Sequence, residues 1–86
     1  MMQVEFESRA KKEIAWFMKY DKRLYEKTKQ IIDDIKLHPY SGIGKPEALK
    51  FELSGFWSRR ISKEHRLVYK IEGNVIIVIA SCRFHY

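Results

Sequence analysis

The chain predicts an α+β fold, a two-helix hairpin packed on one face of a twisted, mainly antiparallel sheet, and three observations carry that prediction. Apolar residues recur at helical spacing over 9–20 and again over 21–38. From Ser54 onward the pattern changes to β-branched and aromatic runs broken by short polar turns. At 86 residues the chain has room for one domain, 1–86, with one core.

Gln3, Val4, Glu5 and Phe6 read as a short first strand with Val4 and Phe6 on one face. Ser8 is the expected N-cap of the first helix, in which Ala10, Ile14, Phe17 and Met18 form the apolar stripe. Asp21 is the expected cap of the second, where Leu24, Thr28, Ile31, Ile32 and Ile35 continue the period to about His38. Pro39 stops that helix, because the residue before a proline is pushed out of the α region. P-Y-S-G-I-G-K-P over 39–46 is a loop punctuated by two glycines and two prolines, with Glu47 and Lys50 at its edge. Three to four further strands then follow. Ser62-Lys63-Glu64-His65 and Gly73-Asn74 supply their turns, and V-I-I-V-I-A over 75–80 reads as a strand buried on both faces.

The charge balance narrows the partners. Seventeen Lys+Arg against eleven Asp+Glu give a formal net charge of +6, which draws polyanions through a salt-sensitive field. No apolar run approaches the ~18 residues of a membrane span. The N-terminal M-M-Q-V-E-F-E lacks the basic and apolar regions of a signal peptide, so a cytoplasmic location is expected. Cys82 is the single cysteine, which excludes an internal disulfide framework and fits a reducing compartment. Three scattered histidines and one cysteine lack metal-ligand spacing, so neither a metal nor a cofactor is expected.

The chemistry concentrates in and around S-G-F-W-S-R-R-I-S-K-E-H-R-L-V-Y over 54–69, where Arg59, Arg60, Lys63, His65 and Arg66 interrupt apolar strand formers. A structural sheet has no need of such a cationic run; an anion site does. With Gly73 and Asn74 as the hairpin loop, Glu72 faces Val75, and counting back along both strands sets Arg66 opposite Ser81. Arg66, Ser81, Arg83 and His85 then project from one side of the sheet, and Leu67, Tyr69, Ile71, Ile76, Val78 and Ala80 from the other. A carboxylate, an arginine and a histidine on a cationic surface suffice for metal-free RNA cleavage through the ribose 2′-OH. Phe56, Trp57, Phe84 and Tyr86 are candidates for stacking on splayed bases. Each residue also has a plain structural reading. Glu47 reads as a solvated acid, Arg66 as a partner of Glu64, His65 as an exposed turn residue, and His85 and Tyr86 as a frayed end.

K-P-E-A-L-K (45–50), L-S-G-F-W-S-R-R-I (53–61), E-H-R-L-V-Y (64–69) and C-R-F-H-Y (82–86) together resemble the YoeB/Txe toxins of the RelE-type group, and Y-D-K-R and P-Y-S-G-I-G fit the same pattern. The resemblance is colinear from about Tyr20 to Tyr86. It implies a RelE-like fold and a ribosome-dependent mRNA interferase that cuts messenger RNA in the ribosomal A site without a metal. Carried over, Glu47 is the general base, His85 the general acid, Arg66 the stabiliser of the phosphorane, and Tyr86 an RNA-orienting residue. Lys50, Arg59, Arg60 and Arg83 are expected at phosphates. Phe84 departs from the tyrosine common there, which keeps a stacking ring and loses only a hydroxyl contact. The resemblance further implies a homodimer and a YefM/Axe-like antitoxin, with operator DNA bound only through the toxin–antitoxin complex. The rival reading is a non-enzymatic toxin of the same fold that blocks the ribosome or gyrase by binding.

Overall fold

A computed structural model describes residues 2–80. The order is β1 (Gln3–Phe6), α1 (Ser8–Tyr20), α2 (Lys22–Leu37), β2 (Glu47–Ala48), a single 3-10 turn (Phe51–Leu53), β3 (Trp57–Arg60), β4 (Arg66–Glu72) and β5 (Val75–Ala80). The strands form one sheet in the order β1-β5-β4-β3-β2, antiparallel throughout except for the parallel pair β1–β5. This is the α+β architecture expected, with four strands after the helical hairpin. No described helix is long and apolar enough to cross a membrane.

The helices form where the apolar period placed them. Asp21 caps α2 by accepting from the Leu24 N–H at 3.3 Å, and the chain turns there so sharply that Asp21 also closes α1, donating its own N–H to Phe17 O. Ser8, expected as the cap of α1, is instead its first residue; Glu7 is the cap, and its side chain makes no capping bond. Ala10 and Phe17 of α1 and Ile31, Ile32 and Ile35 of α2 bury themselves against Leu67, Tyr69, Ile76 and Val78 of the sheet and Ile61 just after β3. Fully burying one such aliphatic side chain contributes about 1.5–3 kcal/mol. β5 departs from its expected burial on both faces. Ile76 and Val78 are buried toward the helices, while Val75, Ile77 and Ile79 on the outer face stay half-exposed.

The β4–β5 hairpin turns at Gly73-Asn74 as expected, with Glu72 facing Val75. Gly73 takes φ +58° and Asn74 does not, the sign pattern of a II′ rather than a I′ turn. The register runs evenly to Tyr69↔Val78 and then slips by one residue, so Val68 pairs with Ala80. This β-bulge corrects the even count that set Arg66 opposite Ser81 and placed Ala80 on the helix side. Val68 and Ala80 are both buried, yet neither belongs to the core beneath the helices. Ser81, Arg83 and His85, which that count also used, lie outside the described residues.

The largest correction concerns Arg59. Expected at a phosphate, it points toward the helices and is fully buried. Its Nη1 donates to Asp34 Oδ2 at 2.6 Å and to Ile43 O at 3.0 Å, its Nε to the Tyr69 hydroxyl at 3.2 Å, and its Nη2 to His38 O. The Tyr69 hydroxyl in turn donates to Pro39 O at 2.7 Å. Asp34, 19% exposed at its side chain, also accepts from the Ile43 N–H at 3.1 Å. One guanidinium thus ties β3 to α2, to β4 and to the loop over 39–46. The loop glycines follow from this. Gly42 has φ +114°, and a Cβ there would collide with the Asp34 carboxylate. The hydrogen bond from Arg59 holds Asp34 below the usual carboxylate range, against the opposing effect of burial. Burial pushes the Tyr69 hydroxyl up, so it stays a neutral donor.

Removing one partner of a buried pair strands the other charge. Asp34→Ala is therefore expected to lower stability by about 3–5 kcal/mol, read from urea unfolding. Because the folded state depresses Asp34, its contribution is complete above the ordinary carboxyl value of 3.8 and disappears as pH falls through the folded value. Asp34→Asn should accordingly flatten the acid limb of a stability–pH curve followed by circular dichroism.

Candidate functional site

Strand alternation divides the sheet into two chemically different faces. Trp57, Arg59, Leu67 and Tyr69 sit as cross-strand pairs on the helix side, so Ser58, Arg60, Arg66 and Val68 face away from it. Glu47 pairs with Ser58 and joins that outer face. The expected base Glu47 and the expected phosphorane stabiliser Arg66 therefore share a face, two strands apart. Their Cα atoms are about 12 Å apart, from two strand spacings of about 4.8 Å and a two-residue offset. Arg60 lies between them as the diagonal neighbour of Glu47, about 7–8 Å away.

Local structure explains why the two arginines meet. Ser62 Oγ accepts from the N–H groups of Glu64 and His65, both at 3.2 Å, and the Ile61 and Ser62 N–H groups donate to His65 O. That tight turn sets Arg60 directly opposite Arg66. The Arg60 N–H donates to Gly44 O at 2.6 Å, which fixes β3 against the loop. Gly44 has φ +80°, and a Cβ on it would stand 3.0 Å from Arg60 O, so only glycine lets the loop come this close. The half-buried His65 ring packs edge-on against Phe17 at 5.2 Å, where an exposed turn residue was expected.

Two like charges directly across a ladder repel one another. Neither Arg60 nor Arg66 has a carboxylate partner among the described residues, and Arg66 does not pair with Glu64. Glu47 and Lys50 are likewise free of ion pairs among the described residues. The fold thus pairs Arg59 completely and leaves its neighbour Arg60 facing another arginine, with no compensating carboxylate among the described residues.

Beside Glu47 an open cleft of about 540 Å³ is lined by Glu47, Ala48, Leu49, Lys50, Phe51 and Leu53. Phe51, 90% exposed and in the left-handed region at φ +57°, stands at its edge. Sequence reasoning missed this ring, because nothing in F-E-L distinguishes it from a core residue. Two aromatics it favoured are engaged elsewhere. Trp57 lies on the helix side against Tyr40, with ring centres 4.9 Å apart, and Phe56 carries the Lys70 ammonium at 5.2 Å. Arg83, Phe84, His85 and Tyr86 lie outside the described residues.

Residues 6–86 match the family model described as the YoeB-like toxin of bacterial type II toxin–antitoxin systems. A Synechocystis protein named Toxin YoeB is 47% identical over 85 residues, covering 99% of this chain and 98% of that protein. Two solved Staphylococcus aureus structures have the same fold. A YoeB dimer superposes with a TM-score of 0.90 at 40% identity, covering 99% of this chain and 98% of that one. The toxin of a heterotetrameric YoeB–YefM toxin–antitoxin complex gives 0.89 at 39% identity, covering 100% and 99%.

The two facing arginines stand outside the network that holds the fold, so replacing them tests anion binding apart from stability. Joint Arg60→Ala and Arg66→Ala should leave the melting temperature unchanged or slightly raised, since a repulsion is removed. For a single-stranded DNA oligonucleotide followed by anisotropy across a salt series, the slope of log K against log salt should shrink by about 1.4, about 0.7 for each phosphate no longer neutralised.

Proposed function

Because the chain belongs to the YoeB-like toxins of bacterial type II toxin–antitoxin systems, we propose that it is a ribosome-dependent endoribonuclease that cuts messenger RNA in the ribosomal A site and so arrests translation. The observation that carries this reading is the free Glu47 carboxylate on the same sheet face as the unneutralised Arg60–Arg66 pair. Glu47 takes the proton from a ribose 2′-OH. The resulting 2′ oxygen attacks the adjacent phosphorus, and the bond to the 5′ oxygen breaks. His85 protonates that leaving oxygen, so the products are a 2′,3′-cyclic phosphate and a 5′-hydroxyl end. Arg66 compensates the additional negative charge of the phosphorane, which builds up as the 2′ oxygen adds. Lys50, Arg60 and Arg83 hold flanking phosphates, while Tyr86 orients the RNA and Phe84 stacks on it. Arg59 takes no part at the phosphate, because every nitrogen of its guanidinium is engaged inside the fold. The reaction moves one proton from the ribose 2′-OH to Glu47 and another from His85 to the 5′ oxygen, and calls for no metal.

The same reading makes the protein cytoplasmic and gives it an antitoxin of the YefM/Axe kind and a homodimeric state. The YoeB–YefM complex and the YoeB dimer from Staphylococcus aureus support both partners. Operator DNA is bound through the antitoxin complex.

Primer extension on a defined message translated in vitro tests the proposal. New 5′ ends at A-site positions are expected only when ribosomes are present. Glu47→Ala should reduce their yield by about 10²–10⁴-fold and Arg66→Ala by about 10²–10³-fold. Arrested translation on full-length message would instead establish a toxin that blocks by binding.

A further inference from the structure

Three polar or charged side chains are buried among the described residues: Thr28, Ser58 and Arg59. Two of them are satisfied. Thr28 Oγ1 donates to Leu24 O at 2.8 Å, and all three guanidinium nitrogens of Arg59 donate to named acceptors. Ser58 differs, since its Oγ is buried and bonded to nothing. A buried hydroxyl without a partner is uncommon and unfavourable, and alanine would occupy the same place with no donor to strand. The fold by itself gives no reason for this oxygen.

Its position supplies one. Ser58 lies at the centre of the outer face, with Glu47 directly across one ladder and Val68 across the other. Cross-strand partners have Cβ atoms about 4.5–5.5 Å apart. The Glu47 carboxylate, two bonds beyond its Cβ, can therefore reach the Ser58 hydroxyl by side-chain rotation alone. The Glu47 side chain has no hydrogen bond or ion pair among the described residues. A donor without an acceptor thus stands opposite an acceptor without a donor.

We infer that Ser58 is the positioning residue of Glu47, its hydroxyl donating to one carboxylate oxygen and leaving the other to receive the 2′-OH proton. The inference rests on the reading of Glu47 as general base. A hydrogen bond to the ionised carboxylate favours that form, so it extends the action of the base to lower pH. It also holds the accepting oxygen toward the substrate, and a misplaced base is costly to rate. Among the described residues the other charges on neighbouring segments are Lys45 and Lys50 on the segment of Glu47 itself, Glu52 in the 3-10 turn, Arg60 on β3 and Arg66 on β4. Replacing Ser58 by alanine leaves all of them in place.

The test is single-turnover cleavage of message on programmed ribosomes, across an acid-to-neutral pH series, by the full chain and its variants. Ser58→Ala should slow cleavage by about 10-fold, the effect of one hydrogen bond to a charged group. It should also move the acid limb of the pH–rate profile upward while leaving binding to the ribosome and the melting temperature intact. Ser58→Thr, which keeps a hydroxyl, should recover most of the rate. In a Glu47→Ala background, Ser58→Ala should have no further effect. A Ser58→Ala variant with the wild-type rate and acid limb overturns the inference, as does an effect that persists unchanged without Glu47. A wild-type protein that cleaves nothing, or a Glu47→Ala variant that cleaves normally, removes the underlying reading itself. The two failures are therefore distinguishable.

Discussion

The pairing of Arg59 with Asp34 is the constraint on which the rest of this structure depends. A buried guanidinium is tolerable only when its charge and its N–H groups are all met. Meeting them recruits four separate parts of the chain: a carboxylate from α2, the carbonyls of His38 and Ile43, and the Tyr69 hydroxyl from β4. The large apolar side chains of the loop over 39–46, Tyr40 and Ile43, stay largely exposed, and this network gives the loop a fixed path. That path in turn brings Gly44 against Arg60 and leads the chain into β2, where Glu47 stands. The geometry of the outer face is thus set from the inner one.

Adjacent arginines on β3 show how one strand serves both purposes. Arg59 is neutralised and immobile beneath the helices, and Arg60, one residue on, faces outward opposite Arg66. The pleat alone separates them. A basic protein of this size holds its excess charge somewhere, and here the fold gathers part of it into a like-charge pair beside an unpaired carboxylate. Like charges facing across a ladder repel, so this pair costs the isolated molecule some stability.

Much of this was legible in the residues, and what was not has physical reasons. Helical periodicity, Asp21, Pro39 and the Gly73-Asn74 turn are local signals, and local structure followed them. The roles of Glu47 and Arg66 came from resemblance, while their common face comes from the pairing of β2, β3 and β4. Arg59 was misplaced although the signal was present: in W-S-R-R-I, alternation groups Trp57, Arg59 and Ile61 on one side, and two of those three are plainly apolar. The bulge at Val68 could not be read, because nothing in V-I-I-V-I-A marks an extra residue. Nor could the parallel pairing of β1 with β5, which joins segments some seventy residues apart through no local rule. Phe51 and Ser58 escaped notice for the same reason, since exposure and an unmet hydroxyl exist only in three dimensions.

That last pairing bears on how the protein is made. β1 is made well before β5, yet among the described residues its ladder is with β5 alone. Until β5 emerges, β4 also lacks one of its two neighbours and the floor beneath α1 is missing. Sheet closure therefore waits until some seventy residues after β1 have been made, and a nascent chain that lacks β5 cannot present a finished outer face. A protein whose proposed target is the translating ribosome gains from this order of assembly a delay built into its topology.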